Sequence, residues 1–280
     1  MIRCAFYEKE ITPPLGSEIP GYYAKRVSTG VLDRLYVKAV VFDDGAVQTA
    51  LIAVDAVELP AKIFDAIALR IQESVGIAPA NIAVCATHTH LGVPAGEPIG
   101  SAEDTDFMSL LCKLAADCVI LAQQKLQPCA LFFGTGRADG ISFNRDYVMS
   151  DGSVCTNPGK STGAIVRPYA ENDPELPLLV AKDKNGKPLG ALLSFACHQD
   201  CIGGTKFSGD YSSELSHQLK AQYGEDFVSV YVAGASGDIN HLNHMAGFAS
   251  DYRIMGRKLA AEAIRIGRVK DYAHFLFSLG

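Results

Sequence analysis

Residues 2–12 alternate between apolar and polar positions and stop at Pro13-Pro14, which predicts a strand that proline ends. Two further strand-like runs, Leu35 to Phe42 and Thr49 to Val57, flank the hairpin signal Asp43-Asp44-Gly45. Ile63, Ile67, Ile71 and Val75 recur at four-residue steps, predicting an amphipathic helix over 61–75 that Gly76 ends. The short apolar stretch Ile82 to Ala86 reads as a buried strand. A second helix is expected over 103–125, with Leu110, Leu114, Cys118 and Leu121 on one stripe, then a short strand at Leu131-Phe132-Phe133. Residues 134–177 are rich in Gly, Asn, Asp, Pro and Ser, and are expected to form a long functional loop or flap. Leu178 to Lys182 and Leu189 to Ala196 form a hairpin around Lys184-Asn185-Gly186-Lys187. Tyr211, Leu215 and Leu219 mark a third helix closed by Gly224, Phe227 to Ala233 a last strand, and 251–266 a fourth helix.

Strands alternate with helices, yet hairpins are present. The fold class is therefore α/β, a mixed β-sheet core with flanking helices. With 280 residues and 48% hydrophobic positions the chain can bury a large core, and is read as one domain over 1–280.

The candidate chemistry sits where apolar runs end. Thr87-His88-Thr89-His90 follows Ile82 to Ala86, and an extended segment would put His88 and His90 on one side. Two imidazoles that close suit a metal, or a metal with a proton donor; a solvated polar strand end is the plain alternative. Ala191 to Cys197 is another apolar run, and it ends in His198. The third, Phe227 to Ala233, leads into Gly234-Ala235-Ser236-Gly237-Asp238-Ile239-Asn240-His241. Three such ends imply a shared rim that carries chemistry.

The formal charge is −6 with no basic run, so nucleic acid is not an expected partner. No apolar run approaches the ~20 residues a membrane-spanning helix needs. Met1-Ile2-Arg3-Cys4-Ala5 lacks a signal-peptide pattern, although a removed precursor stays open. The eight cysteines form no C-x-x-C pair, and a reduced, cytoplasmic protein is the simplest expectation. Cys197 and Cys201 flank His198 and are weighed as ligands, against the reading of Cys197 as a small buried hydrophobe.

Taken in order, these pieces resemble the catalytic domain of the neutral/alkaline (non-lysosomal) ceramidase family. Ile11-Thr12-Pro13 with Gly21-Tyr22 resembles its opening. Asp33 to Phe42 and Ala53-Val54-Asp55 resemble its next two strands. Ala86-Thr87-His88-Thr89-His90 resembles its A-T-H-T-H-S-G-P signature, and Phe143-Asn144-Arg145 its N-R element. Ser194-Phe195-Ala196-Cys197-His198 resembles its second histidine strand, Gly237-Asp238-Ile239-Asn240 its G-D-V-S-P-N element, and Ile254 to Ala260 the helix after it. The resemblance covers most of the chain. It implies a zinc amidase in which His88 and His198 bind zinc. His90 would lie outside the ligand set and handle a proton or the transition state, and Arg145 would face the substrate or the developing oxyanion.

Three departures qualify that expectation. Asn240, followed by His241, stands where the family has the serine associated with ceramidase activity, which argues against ceramide as substrate. Leu91-Gly92-Val93-Pro94 replaces S-G-P. The family also completes its zinc site with a Glu and a Tyr from a later part of a longer domain, whereas this chain ends at Gly280. Either the chain is truncated, or local residues complete the site. Local candidates are His241, Asp238 and His244 after one strand end, and Asp200 and Asp210 after another. His241 and His244 could share one face of a helical turn. Asp210 and Asp238 also read as helix caps, and Asp55 as a hydrogen-bond partner of His88 or His90. The expectation is a zinc-dependent hydrolase cleaving an amide or ester in a small molecule other than ceramide. The rivals are a catalytically incomplete or binding-only relative, and a Ser-His hydrolase using Ser236.

Overall fold

Alternation on the strand Arg3–Glu10 sends Cys4 and Phe6 to one side and Ala5 and Tyr7 to the other, and both sides find apolar partners. Burial on both faces requires a layer on each side, and the structure, a computed structural model describing residues 1–95, 105–159 and 164–268, supplies them. The first sheet has the order Ile82–Ala86, Gln48–Val54, Tyr36–Asp43, Arg3–Glu10, Gln127–Pro128. Tyr36–Asp43 and Gln48–Val54 form the expected hairpin, with Gly45 at φ 96° in its turn. Ile82–Ala86 adds in parallel after the crossover helix α1 (Ala61–Val75). The second sheet has the order Val228–Ala233, Pro188–Phe195, Glu175–Lys182, Ala130–Arg137, and only its first pair is parallel.

Helices α1 and α2 (Thr105–Gln123) pack Ile63, Ile67, Ile71, Leu111 and Val119 on the outer face of the first sheet, against Val37, Ala39 and Ile52. Helices α3 (Asp210–Tyr223) and α4 (Tyr252–Arg268) pack Leu215, Leu219, Met255 and Leu259 on the second sheet, against Leu178, Leu193 and Phe195. Between the sheets lie Cys4, Phe6, Val40, Ala53, Ala181, Val228 and Val230. The result is four layers, helix–sheet–sheet–helix. Each fully buried Ile, Leu or Phe in these layers contributes about 1.5–3 kcal/mol through its removal from water.

The expected mixed sheet is thus divided into two stacked mixed sheets. α1 spans the expected 61–75, and Gly76 closes it in the left-handed conformation at φ 77°. Residues 103 and 104 of the second expected helix lie outside the described residues. The expected flap over 134–177 is more structured than its composition implies. Ala130–Arg137 continues as a strand through Gly134 and Gly136, and side chains of α4 lie close over Gly136: a Cβ there would meet Ile266 Cδ1 at 2.4 Å. Farther on, Val154–Thr156, Asp146–Met149 and Ile165–Pro168 form a small three-stranded sheet. Among the described residues no helix is long and apolar enough to cross a membrane. All eight cysteines are unpaired.

The parallel pairs of the two sheets stack on one another, so the chain leaves Ile82–Ala86 and Pro188–Phe195 in the same region. Thr89 and Gln199 even form a parallel bridge there. This is the rim that the strand ends predicted.

Candidate metal centre

His88 follows its strand by two residues with φ 70°, the left-handed region that non-glycine residues seldom occupy. The backbone N–H groups of Thr87 and His88 are held by the Val54 and Ala56 carbonyls, at 2.9 Å each. The His88 ring is fixed by its Nδ1–H, which donates to the Val57 carbonyl at 2.7 Å. A carbonyl can only accept, so the proton is on Nδ1 and the Nε2 lone pair is free. His198 repeats the device. Its Nδ1–H donates to the Ser236 carbonyl at 2.7 Å, with the Ile239 carbonyl at 3.2 Å. Burial first, and then the neighbouring His88, push the His198 imidazole below its ordinary range.

His90 lies between them. Its backbone N–H donates to the Gln199 carbonyl at 2.9 Å, and its carbonyl accepts from Arg26 Nη2 at 2.6 Å. Its side chain is different. Both ring nitrogens are buried and neither has a hydrogen bond of ordinary geometry, although the Gly21 backbone lies against Nδ1 and partly opposes the fall of its pKa. Burial, and then His88 and His198, hold this imidazole down to about 3, so it is neutral near pH 7. The His88 ring centroid lies 5.1 Å from that of His90 and 4.6 Å from that of His198, with the rings nearly perpendicular. One ring nitrogen from each of the three histidines falls within 4.8 Å of the others. Two rings locked in the ligating tautomer and a third with orphaned buried nitrogens fit a bound metal ion, which would satisfy all three.

A polar layer supports His90. Tyr22 packs 5.7 Å from the His90 ring and donates its hydroxyl to Asp200. The Arg26 guanidinium lies 3.8 Å over the Tyr22 ring and also donates to the Pro20 and Gly204 carbonyls. Burial raises the Asp200 carboxyl, opposed by the Tyr22 hydrogen bond and by His241, His198 and Arg26. Tyr22 entered the sequence reading only as part of a resemblance, and Arg26 not at all. No local signal marks Arg26, because the three carbonyls it joins meet only in the fold.

The other candidate residues have the following places. Arg145 is half-buried, close enough for its charge to depress the His198 imidazole, and its backbone N–H donates to the Asp238 carbonyl at 2.7 Å. The Asp238 carboxylate accepts from Asn144 Nδ2 at 2.8 Å, tying the Asn144-Arg145 segment to the rim. Asn240 is buried, donates to Asn157 Oδ1 at 2.7 Å and accepts from the Leu242 N–H at 2.9 Å. His241 is outside the three-histidine group, and burial lowers its imidazole against the pull of Asp200. His241 and His244 do not share a helical turn: they border a hairpin of Leu242–Asn243 and Phe248–Ala249. A spacing of three residues fits either geometry, and Tyr147, whose hydroxyl accepts the His244 N–H at 3.2 Å, fixes the hairpin.

Asp210 is almost fully buried, with φ 55°. Its carboxylate accepts the N–H groups of Cys201 at 2.8 Å, Ile202 at 3.3 Å and Tyr211 at 2.6 Å, so it braces the loop after His198. Asp55 takes the Tyr36 N–H at 2.8 Å and the Thr87 hydroxyl at 3.1 Å, while the His88 ring bonds to the Val57 carbonyl instead and the His90 ring does not reach Asp55. Cys197 and Cys201 are held as neutral thiols by burial, and neither is in the three-histidine group. Ser236 contributes its carbonyl to His198.

No family model and no curated protein matches this sequence. Among solved structures, the neutral ceramidase from Pseudomonas aeruginosa matches with a TM-score of 0.78 at 20% identity, over 94% of this chain and 44% of that one. A ceramidase complexed with C2 matches with the same TM-score at 21% identity, over 94% of this chain and 43% of that one. The chain therefore has the α/β fold of the neutral ceramidases, and spans less than half the length of these structures.

Proposed function

We propose that this chain is a zinc-dependent hydrolase that cleaves an amide or ester bond in a small-molecule substrate other than ceramide. The observation that carries the reading is the convergence of His88, His90 and His198, with two of the rings locked so that Nε2 is the free nitrogen. Imidazole nitrogens suit zinc, although they also suit other first-row metals. A zinc ion held there would polarise a carbonyl oxygen and lower the pKa of water to about 7.

The rest of the site follows from the chain's own residues. His88 and His198 would hold the ion, and their carbonyl partners keep both rings aimed. Arg145 brings a positive charge beside His198, suited to the oxygen that becomes negative as an acyl carbon is attacked. The Asn144–Asp238 hydrogen bond keeps Arg145 at the rim. The strand Asp146–Met149 of the small sheet continues directly from Arg145. Asn240, whose amide is engaged by Asn157, offers no hydroxyl at the position of the family's serine, and this supports a substrate other than ceramide.

The test is elemental analysis of the purified chain beside a His88→Ala/His198→Ala double variant, followed by a screen of acyl amides and esters. The expected result is about one zinc per chain, none in the double variant, and zinc-dependent hydrolysis of at least one acyl class. A chain that holds zinc in the same three-histidine rim and hydrolyses none of them would be a binding-only relative.

A further inference from the structure

Of the three clustered histidines, His90 is the one whose ring no hydrogen bond of ordinary geometry holds. A buried imidazole normally satisfies at least one nitrogen, because leaving a polar group unpaired in the interior costs about 1–3 kcal/mol. Here neither nitrogen has a hydrogen bond of ordinary geometry and the Gly21 backbone alone lies against Nδ1, while the backbone on either side of the ring is pinned by Gln199 and Arg26. The fold therefore fixes the ring with at least one nitrogen that no group among the described residues satisfies. His88 pays for this placement with a left-handed backbone, since the turn at φ 70° sets the His88 and His90 rings nearly perpendicular, 5.1 Å apart, rather than side by side as on a strand.

The carboxylates that could otherwise join a metal each accept hydrogen bonds, Asp200 among them from the Tyr22 hydroxyl. Asp210 accepts three N–H groups, Asp55 accepts one N–H and one hydroxyl, and Asp238 accepts the Asn144 amide. Among the described residues only His90 brings a nitrogen to the point that His88 and His198 share.

We infer that His90 is a third protein ligand, so that this chain builds a three-histidine metal face from its own residues. The inference deepens the zinc-hydrolase reading and rests on it. It gives His90 a different part from the one the ceramidase resemblance implies, in which His90 stands outside the ligand set. Three imidazoles leave one position of a tetrahedral ion for water or substrate, the arrangement of catalytic rather than structural zinc. All three ligands are neutral, so the ion keeps its full double charge toward whatever occupies that position. A carboxylate or phenolate ligand would reduce it.

X-ray absorption at the zinc edge counts imidazole ligands without reference to activity, and a chelator competition titration measures affinity. The wild-type chain is expected to show three imidazoles per zinc. His90→Ala and His90→Gln are expected to show two, with zinc affinity lowered by more than the roughly 100-fold that loss of an outer partner can cost. Two imidazoles in the wild type, with His90 variants that bind zinc within about tenfold of it, would overturn the inference and leave the hydrolase reading standing. A wild-type chain that takes up no zinc would overturn both. The wild-type imidazole count decides the matter even if neither variant folds.

Discussion

The carbonyl of Gln199 accepts the backbone N–H of His90 at 2.9 Å, and the side-chain amide of Gln199 donates to the Thr87 carbonyl. One fully buried residue beside His198 thus clasps the loop that carries the other two histidines, and joins the strand ends of two separate sheets. Replacing Gln199 with Ala leaves the Thr87 carbonyl without this donor in the interior, at a cost of about 1–3 kcal/mol. Urea unfolding of Gln199→Ala should show that loss as a lower midpoint with an unchanged slope. Zinc affinity should fall with it, because the clasp sets the spacing of the rings. An unchanged midpoint and affinity would mean the loops hold their positions without it.

Zinc should stabilise the folded chain, since the unfolded chain does not bring three distant imidazoles together. At a free concentration 100 times the dissociation constant the gain is about 2.7 kcal/mol. Thermal melts should rise with added zinc and fall when a chelator removes it. The His88→Ala/His198→Ala variant should show neither change. A double variant that zinc stabilises as strongly as the wild type would place the binding elsewhere.

Arg145→Ala should lower kcat/KM by an amount equivalent to roughly 2–4 kcal/mol, as for other donors to a developing oxyanion. Zinc content should stay the same, because Arg145 is not in the three-histidine group. Full kcat/KM in this variant would remove Arg145 from the chemistry.

Periodicity made the layers legible. The four-residue steps of Ile63, Ile67 and Ile71 correspond to buried positions on α1, and the turn residues Asp43-Asp44-Gly45 do connect paired strands. What stayed hidden depended on contacts between segments far apart in sequence. Gly134 and Gly136 look like loop residues, yet they continue a strand because they pair with Leu178 and Leu176 of the neighbouring strand. The histidine positions were visible at strand ends. The left-handed turn at His88 was not, since nothing in Thr-His-Thr marks it. Asp210 read as a helix cap or a ligand, and its carboxylate instead also gathers two N–H groups from the loop eight and nine residues earlier. That loop is positioned by the fold, and no spacing rule reports it.

The hairpin at Asp43 supplies a pH dependence away from the metal centre. Burial alone would raise the Asp43 carboxyl, but hydrogen bonds from Gln48 and Gly45 and the Arg3 guanidinium outweigh it and hold it below its usual value. A group depressed in the folded state stabilises above its unfolded pKa, near 3.9, and that contribution is lost as pH falls through the lower folded value. Asp43→Asn keeps an acceptor for Gly45 but not the charge. Its stability deficit relative to the wild type should therefore be present at pH 6 and shrink below pH ~4. A deficit that stays constant down to pH ~2 would show that the charge contributes nothing.

Helix packing should reach the histidine rim through Tyr211. Gly256 on α4 lies against the backbone of α3: a Cβ there would come within 2.7 Å of the Tyr211 carbonyl and 2.8 Å of the Leu215 nitrogen. Backbone atoms cannot swing aside as a side-chain end can, so Gly256→Ala must part the helices. Alanine gains about 1 kcal/mol in helix propensity, while overpacking a tight contact costs about 1–3 kcal/mol, and with backbone as the obstacle the cost should win. The displaced α3 carries Tyr211, whose hydroxyl donates to the Cys197 carbonyl at 2.7 Å, one residue before His198. Gly256→Ala should therefore lower Tm by roughly 2–4 °C per kcal/mol lost and also weaken zinc binding, although the substitution touches no ligand. A lower Tm with unchanged zinc affinity would show that the helix pair yields without moving His198. An unchanged Tm would mean that the close contact relaxes at no cost.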